Sequence, residues 1–180
     1  GGNFSMRVAL QAERAGLHIG HVVAVNPVIN PLHAMVSMEE GIRFYERYFE
    51  RKWSRSLRVK KKAFPDLYGE ETWHEIKGLR ERTHYLATRH AGFQSAEEYF
   101  EGYSIADGRL APLAVPSTIL TSADDPVVPV GDFKDLPDNP NLELIVTDHG
   151  GHCGFLKNWK LESMAEDLIA GRFLSAVARS

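Results

Sequence analysis

The chain has 180 residues, 43% of them hydrophobic and 25% charged, with a formal net charge of -3. That length and apolar share suit one globular domain or part of a larger one, and the near balance of charge gives no global attraction to nucleic acid or membrane. The single cysteine, Cys153, excludes an internal disulfide framework, and no apolar run approaches the roughly 18 residues needed to span a bilayer, so a cytoplasmic protein is the expectation.

The sequence opens on Gly1, Gly2 and Asn3, where glycine permits a tight turn or a close backbone approach. Phe4, Val8, Ala9, Ala12 and Ala15 then recur at spacings near three and four, which predicts an amphipathic helix over 4–16 ended by Gly16. "HVVAVNP" (21–27) reads as a strand buried on both faces and stopped by Asn-Pro. The stretch 33–108 is helical in pattern and rich in aromatic and basic residues. "STILTSA" (117–123) and "LELIVTD" (142–148) are two further buried-strand candidates, and a last helix is expected around 160–177 through Leu161, Met164, Ala165, Leu168 and Ile169.

This alternation predicts an α/β fold: a mostly parallel sheet flanked by helices, with core segments 1–32 and 109–180 separated by a helical insert at 33–108. Parallel sheets need both faces covered and are usually larger than three strands, so the sheet is expected to continue in residues outside this sequence.

Chemistry concentrates after the last two strands. "SADDPVVP" places Asp124 and Asp125 just beyond one strand, and "DHGGHCGF" places His149 and His152 just beyond the next. Open α/β sheets present functional groups at their carboxyl edge, so an Asp and a His from neighbouring strands can meet there. A buried Asp-His pair holds an imidazole in one tautomer as a general base.

A strand followed by x-x-Asp-x-x-Val-Pro, and later Gly-Gly-His-x-Gly-Phe, resembles the acid and base segments of the α/β-hydrolase fold. "GGNF" is similar to the continuation of the Gly-x-Ser-x-Gly nucleophile elbow in the YheT-like branch of that family. "LRERTHYLA" and the segment 90–129 resemble the insert helix and the approach to the acid strand, so the likeness covers nearly the whole chain. The resemblance implies that Asp125 is the catalytic acid, His152 the base and Gly1 the last glycine of the elbow. It places the nucleophilic serine and both oxyanion-hole donors upstream of Gly1, in the remaining amino-terminal part of the same fold. The implied activity is that of a carboxylesterase or lipase-like serine hydrolase acting on small-molecule esters with acyl or lipid-like groups, with no dissociable cofactor. It also implies that 33–108 is a cap over the active site, its aromatic residues suiting a hydrophobic acyl or aryl group.

Other residues read more plainly. Ser5 lies one turn into the first helix, away from an elbow position. Cys153 adjoins His152, but neighbouring side chains of an extended loop point apart. His149 is expected to shape its loop. His18, His21, His33, His74, His84 and His90 show no paired ligand spacing, so no metal is expected. Ser95 with Glu98 forms a capping box at a helix start.

Between Arg51 and Lys62 stand Arg51, Lys52, Arg55, Arg58, Lys60, Lys61 and Lys62, while Tyr45, Phe49, Trp53 and Leu57 recur every four residues. One face of this helix is therefore apolar and its flanks are cationic. It reads as an insert helix packed on its core with a solvated basic side, or as a surface for peripheral membrane contact. Two alternatives to an ester hydrolase stand: a noncatalytic α/β-hydrolase-like scaffold, and a basic-surface interaction protein using 43–62. No nucleic-acid partner is expected.

Overall fold

Short β-branched runs set between helical segments become a parallel sheet with helices on it, because a strand buried on both faces needs a crossover to return in the same direction. The computed structural model of the protein describes residues 1–41, 43–68, 72 and 75–178, and of residues 43–46 the backbone alone. In chain order its elements are helix α1 (Gly2–Gln11), strand β1 (Val22–Val25), helices α2 (Pro31–Glu40), α3 (Arg43–Ala63), α4 (Pro65–Tyr68), α5 (Leu79–His90) and α6 (Ala96–Tyr103), strand β2 (Ser117–Ser122), a 3-10 turn (Val130–Phe133), strand β3 (Leu142–Thr147) and helix α7 (Met164–Val177). The chain divides into two units, Gly1–Pro31 with Tyr103–Ser180, and Leu32–Gly102.

In the first unit the described strands form one parallel sheet in the order β1-β2-β3. Central β2 is buried at every residue, with Ile119 and Leu120 fully enclosed. Burial of side chains of that size contributes about 1.5–3 kcal/mol each. Its hydroxyls are bonded in place: Ser117 Oγ donates to Val115 O at 2.9 Å, Thr118 Oγ1 to Glu143 at 2.9 Å and Ser122 Oγ to Gly151 O at 2.8 Å. Helices α1 and α7 both pack on β1.

Three expectations are corrected here. Helix α1 ends at Gln11 and turns through residues 12–16, with Gly16 at φ +64°. Its core face is Met6, Ala9 and Ala12, whereas Phe4 is 67% exposed, because Phe4 lies most of a half-turn around the helix from Met6 and Ala9. Strand β3 is an edge strand with Leu144 and Val146 exposed: it follows β2 through only a 3-10 turn, too short to cover that face. Helix α7 begins at Met164, not near 160. Residues Leu156 and Ser163 pair as an antiparallel bridge around a reverse turn, and Leu161 sits in it at φ +62°, 70% exposed.

The second unit is helical. Pro31 opens α2 at a position where a missing N–H costs nothing. Met35, Leu79, Ala96 and Phe100 form its core, and Phe49 and Trp53 of α3 pack against it, with Leu57 buried one turn further on. The apolar stripe of α3 thus faces inward from Phe49 to Leu57, while the Tyr45 side chain lies outside the described residues, as does His74. At the start of α6, Ser95 Oγ accepts from Glu98 N at 3.1 Å, the first half of the expected capping box, while the Glu98 carboxylate accepts from Gln94 N at 2.6 Å, one residue before the cap. Residues 103–108 pack with the sheet unit, where Ile105 is buried and donates its N–H to Ile29 O at 3.0 Å.

Candidate active site

The carboxyl ends of β1, β2 and β3 converge on one constellation. Beyond β2 the chain turns at Asp125, whose side chain is 0% exposed. Its Oδ1 accepts from Val127 N at 2.7 Å and Val128 N at 3.1 Å, an Asx-type turn stiffened by Pro126 and Pro129. Its Oδ2 accepts from Asn26 Nδ2 and faces His152 Nδ1 at 3.0 Å. Burial pushes the Asp125 carboxyl up, but the His152 hydrogen bond and the two backbone amides outweigh it and hold the group below the usual carboxylate range. An ionised carboxylate can only accept, so the Nδ1 of His152 carries a proton toward Oδ2, and Nε2 is the ring's second nitrogen. The His152 side chain is 33% exposed, which leaves that second nitrogen within reach of a reacting group.

Asp124, next in the chain, has a different task. Its Oδ1 accepts from Gly150 N at 2.9 Å and Gly151 N at 2.8 Å, and its Oδ2 lies 3.5 Å from His149 Nδ1. The bond from Gly151 leads the causes that lower its carboxyl below the usual value. His149 is 91% exposed, and its carbonyl accepts from Thr147 Oγ1 at 3.0 Å. Adjacent aspartates therefore divide the work: Asp125 holds the imidazole and Asp124 holds the loop that carries it.

That loop is tight. Gly154 N and Phe155 N both return to Gly150 O, at 2.9 and 3.2 Å, and Gly151 adopts φ +52°. A Cβ at Gly150 would meet the Phe155 ring at 2.7 Å and Ser122 Cβ at 3.0 Å, so only glycine passes between them. Phe155 is buried against Leu120 and Ala165 and anchors the far end. Cys153 is exposed, and burial of its sulfur together with the Asp125 charge raises its thiol above the ordinary value, so it is no activated nucleophile.

Asn26 is the residue that sequence reading missed. It lies 4% exposed directly after β1, at φ +41°, and its Nδ2 donates both to Asp125 and to Gly151 O, the latter at 2.8 Å. One side chain thus ties Asp125 to the loop that carries His152. The signal was present in "VNP": an Asn at a strand's carboxyl end, of the residue type that tolerates the left-handed region. Its Oδ1 is buried without a partner among the described residues.

The start of α1 reaches the same edge. A Cβ at Gly2 would meet Val25 O at 3.0 Å and Pro27 Cα at 3.1 Å, the residues on either side of Asn26, whereas one at Gly1 would meet nothing within 4 Å. Asn3 Nδ2 donates to Val28 O at 2.8 Å and Tyr103 O at 2.9 Å, stapling the helix start to the loop after β1. Ser5 Oγ donates to Gly2 O at 2.8 Å and is occupied within its own helix.

The remaining histidines stand apart. His18 lines a cavity of about 570 Å³ beside Pro116, at the amino end of the sheet, and His21 Nε2 lies 2.9 Å from Thr118 Oγ1. In the helical unit the His90 ring sits 4.8 Å from the Tyr68 ring, and His33 and His84 are exposed. Among the described residues no three His, Cys, Asp or Glu side chains are grouped to hold a metal.

The lowered Asp125 fixes the sign of an acid response. Its folded-state value lies below the unfolded one of about 3.9, so it contributes stability above that value and loses it as pH falls through the folded value. The melting temperature is expected to hold from neutrality to about pH 5 and to decline below it. Asp125→Asn is expected to flatten that decline, as measured by thermal unfolding across pH.

No family model matches the chain. Among curated proteins it is similar to human phospholipase ABHD3, 30% identical over 109 residues that cover 57% of this chain and 26% of that protein. It is 32% identical over 96 residues to the medium-chain fatty acid ethyl ester synthase/esterase 2 of Saccharomyces cerevisiae, covering 51% and 21% of the two. It is 33% identical over 73 residues to an abhydrolase domain-containing protein of Dictyostelium discoideum, covering 39% and 18%. The chain spans about a quarter of the length of the ABHD3 relative. These relatives are α/β-hydrolase-domain proteins, and the parallel sheet flanked by helices agrees with that fold. No described helix is long and apolar enough to cross a membrane.

Proposed function

We propose that the chain is the carboxyl-terminal part of a serine hydrolase of the YheT-like branch, cleaving carboxylic esters with His152 as general base and Asp125 as its orienting acid. The observation that carries the reading is the 3.0 Å contact between His152 Nδ1 and a fully buried Asp125 carboxylate already held by two backbone amides. The names of the phospholipase and esterase relatives support the reaction class.

The missing member is an alcohol. In this reading the elbow serine precedes Gly1 in the amino-terminal part of the same fold, where further strands pair with the open edge of β1. The serine oxygen attacks the ester carbonyl carbon while its proton passes to His152 Nε2, and Asp125 stabilises the imidazolium. Collapse of the tetrahedral intermediate breaks the bond to the alkoxy oxygen, which leaves as the alcohol with the proton from Nε2. Water then attacks the acyl-enzyme, again giving its proton to Nε2, and the acid leaves as the serine is restored. The oxyanion is held by the amide following the serine and by a second amide from an upstream loop, as in that fold. No cofactor or metal enters these steps.

The helical unit is, in this proposal, the cap insert spanning 33–108. The aromatic and apolar residues of this unit, Phe49 and Trp53 among them, suit esters with an acyl or other lipid-like group.

The test is activity-based labelling of the full-length protein with a fluorophosphonate. Labelling is expected, and it is expected to vanish when the elbow serine is changed to alanine. Absence of labelling in the parent protein sinks the enzyme reading in favour of a noncatalytic scaffold.

A further inference from the structure

Helix α3 carries a second pattern that ester hydrolysis leaves unused. Its inward face is apolar from Phe49 to Leu57, yet its outer flank is not simply charged. Tyr48, Lys52, Arg55 and Val59 follow one another at spacings of four, three and four, so they form a single row along the helix. Tyr48 is 46% and Val59 61% exposed, and the Lys52 ammonium lies 5.4 Å from the Tyr48 ring. Beyond the end of α3 the chain turns at Pro65 into α4, and Phe64 and Leu67 stand 56% and 67% exposed at that corner. From Arg51 to Pro65 there are seven basic residues and no acidic one. Lys60, Lys61 and Lys62 fill the last turn, where they also complement the helix dipole.

A solvated helix flank needs cations but has no use for an exposed valine, phenylalanine and leucine among them. An anionic bilayer uses both: acidic headgroups attract the lysines and arginines, and the apolar side chains enter the boundary with the acyl region. A nucleic acid matches the charge but offers nothing to Val59 and Leu67. We infer that the outer flank of α3 and the α3–α4 corner form a peripheral docking surface for anionic lipid membranes, with Phe64 and Leu67 as the inserting side chains. This surface stands independently of the esterase reading.

The experiment is co-sedimentation of the full-length protein with phosphatidylcholine vesicles, with and without phosphatidylserine. Binding is expected to be at least tenfold tighter with phosphatidylserine and to weaken steeply between about 0.05 and about 0.5 M salt. Lys60→Glu with Lys62→Glu is expected to reduce that binding at least tenfold. Phe64→Ser with Leu67→Ser is expected to reduce it at high and low salt alike. All four side chains are exposed, so both variants are expected to stay folded, the lysine pair melting a few degrees lower through the helix dipole, a control that needs no catalysis. Indifference to phosphatidylserine overturns the inference, as does vesicle binding that neither variant alters, or retention of single-stranded RNA without vesicle binding.

Discussion

Replacing His152 by alanine in the full-length protein is expected to lower kcat/KM on a soluble p-nitrophenyl ester by about 10⁴- to 10⁶-fold, with little change in melting temperature. The catalytic effect is large because, in the proposed mechanism, the ring alone moves the proton from the serine and back to the leaving group. The effect on stability is small because the side chain is one-third exposed and, among the described residues, bonds only to Asp125. Asp125→Asn is expected to cost on the order of 10⁴-fold, since its amide would donate where the carboxylate accepts and so favour the wrong imidazole tautomer. Steady-state kinetics and thermal unfolding on the same preparations separate the two effects. Full activity in His152→Ala would remove this residue from the mechanism.

Asn26 carries the second large expectation, and its two variants differ in how their cost responds to pH. Asn26→Asp sets a carboxylate against the buried Asp125 carboxylate, so one of the pair is forced to hold its proton well above the usual range. At pH 7 the expected loss of stability is about 2–4 kcal/mol, and the deficit shrinks as pH is lowered, because the folded state binds the extra proton more tightly. Asn26→Ala instead leaves Gly151 O and Asp125 each short of one donor and places an alanine at φ +41°, with an expected cost of about 1–3 kcal/mol that varies little with pH. Both are expected to lower kcat/KM on the order of a hundredfold through misplacement of the base, without loss of fluorophosphonate labelling at saturating probe. Melting curves from pH 4 to 8 distinguish a positioning residue in the acid-base pair from a merely structural one. Parallel pH dependence in the two variants would refute the positioning role.

The strands were legible because their signal is local: three short apolar runs, each closed by Asn, Asp or Pro, give three parallel strands in sequence order. The approach of Asp125 to His152 was also legible, since each follows a strand end and neighbouring strands end side by side. What stayed hidden depends on tertiary company. Leu161 fits a helical stripe on paper, but the Leu156–Ser163 bridge holds it in a left-handed turn. Leu144 and Val146 have the composition of a covered strand and the exposure of an edge. Asn26 read as a strand stop because its two acceptors lie 99 and 125 residues away, beyond any periodicity. The separate duties of Asp124 and Asp125 were invisible for the same reason, as neighbours in sequence with partners on different atoms of one distant loop.

The division of labour between those two aspartates sets the smallest unit that can be grafted. An engineer who transplants only an acid and a base onto another scaffold would move two side chains and leave behind the amides, the asparagine and the buried phenylalanine that fix their angle. Insertion of one residue between Ser122 and Asp124 would move both carboxylates out of step with the strand end and with the loop amides and imidazole they hold. Loop length there is therefore as strict a requirement as residue identity.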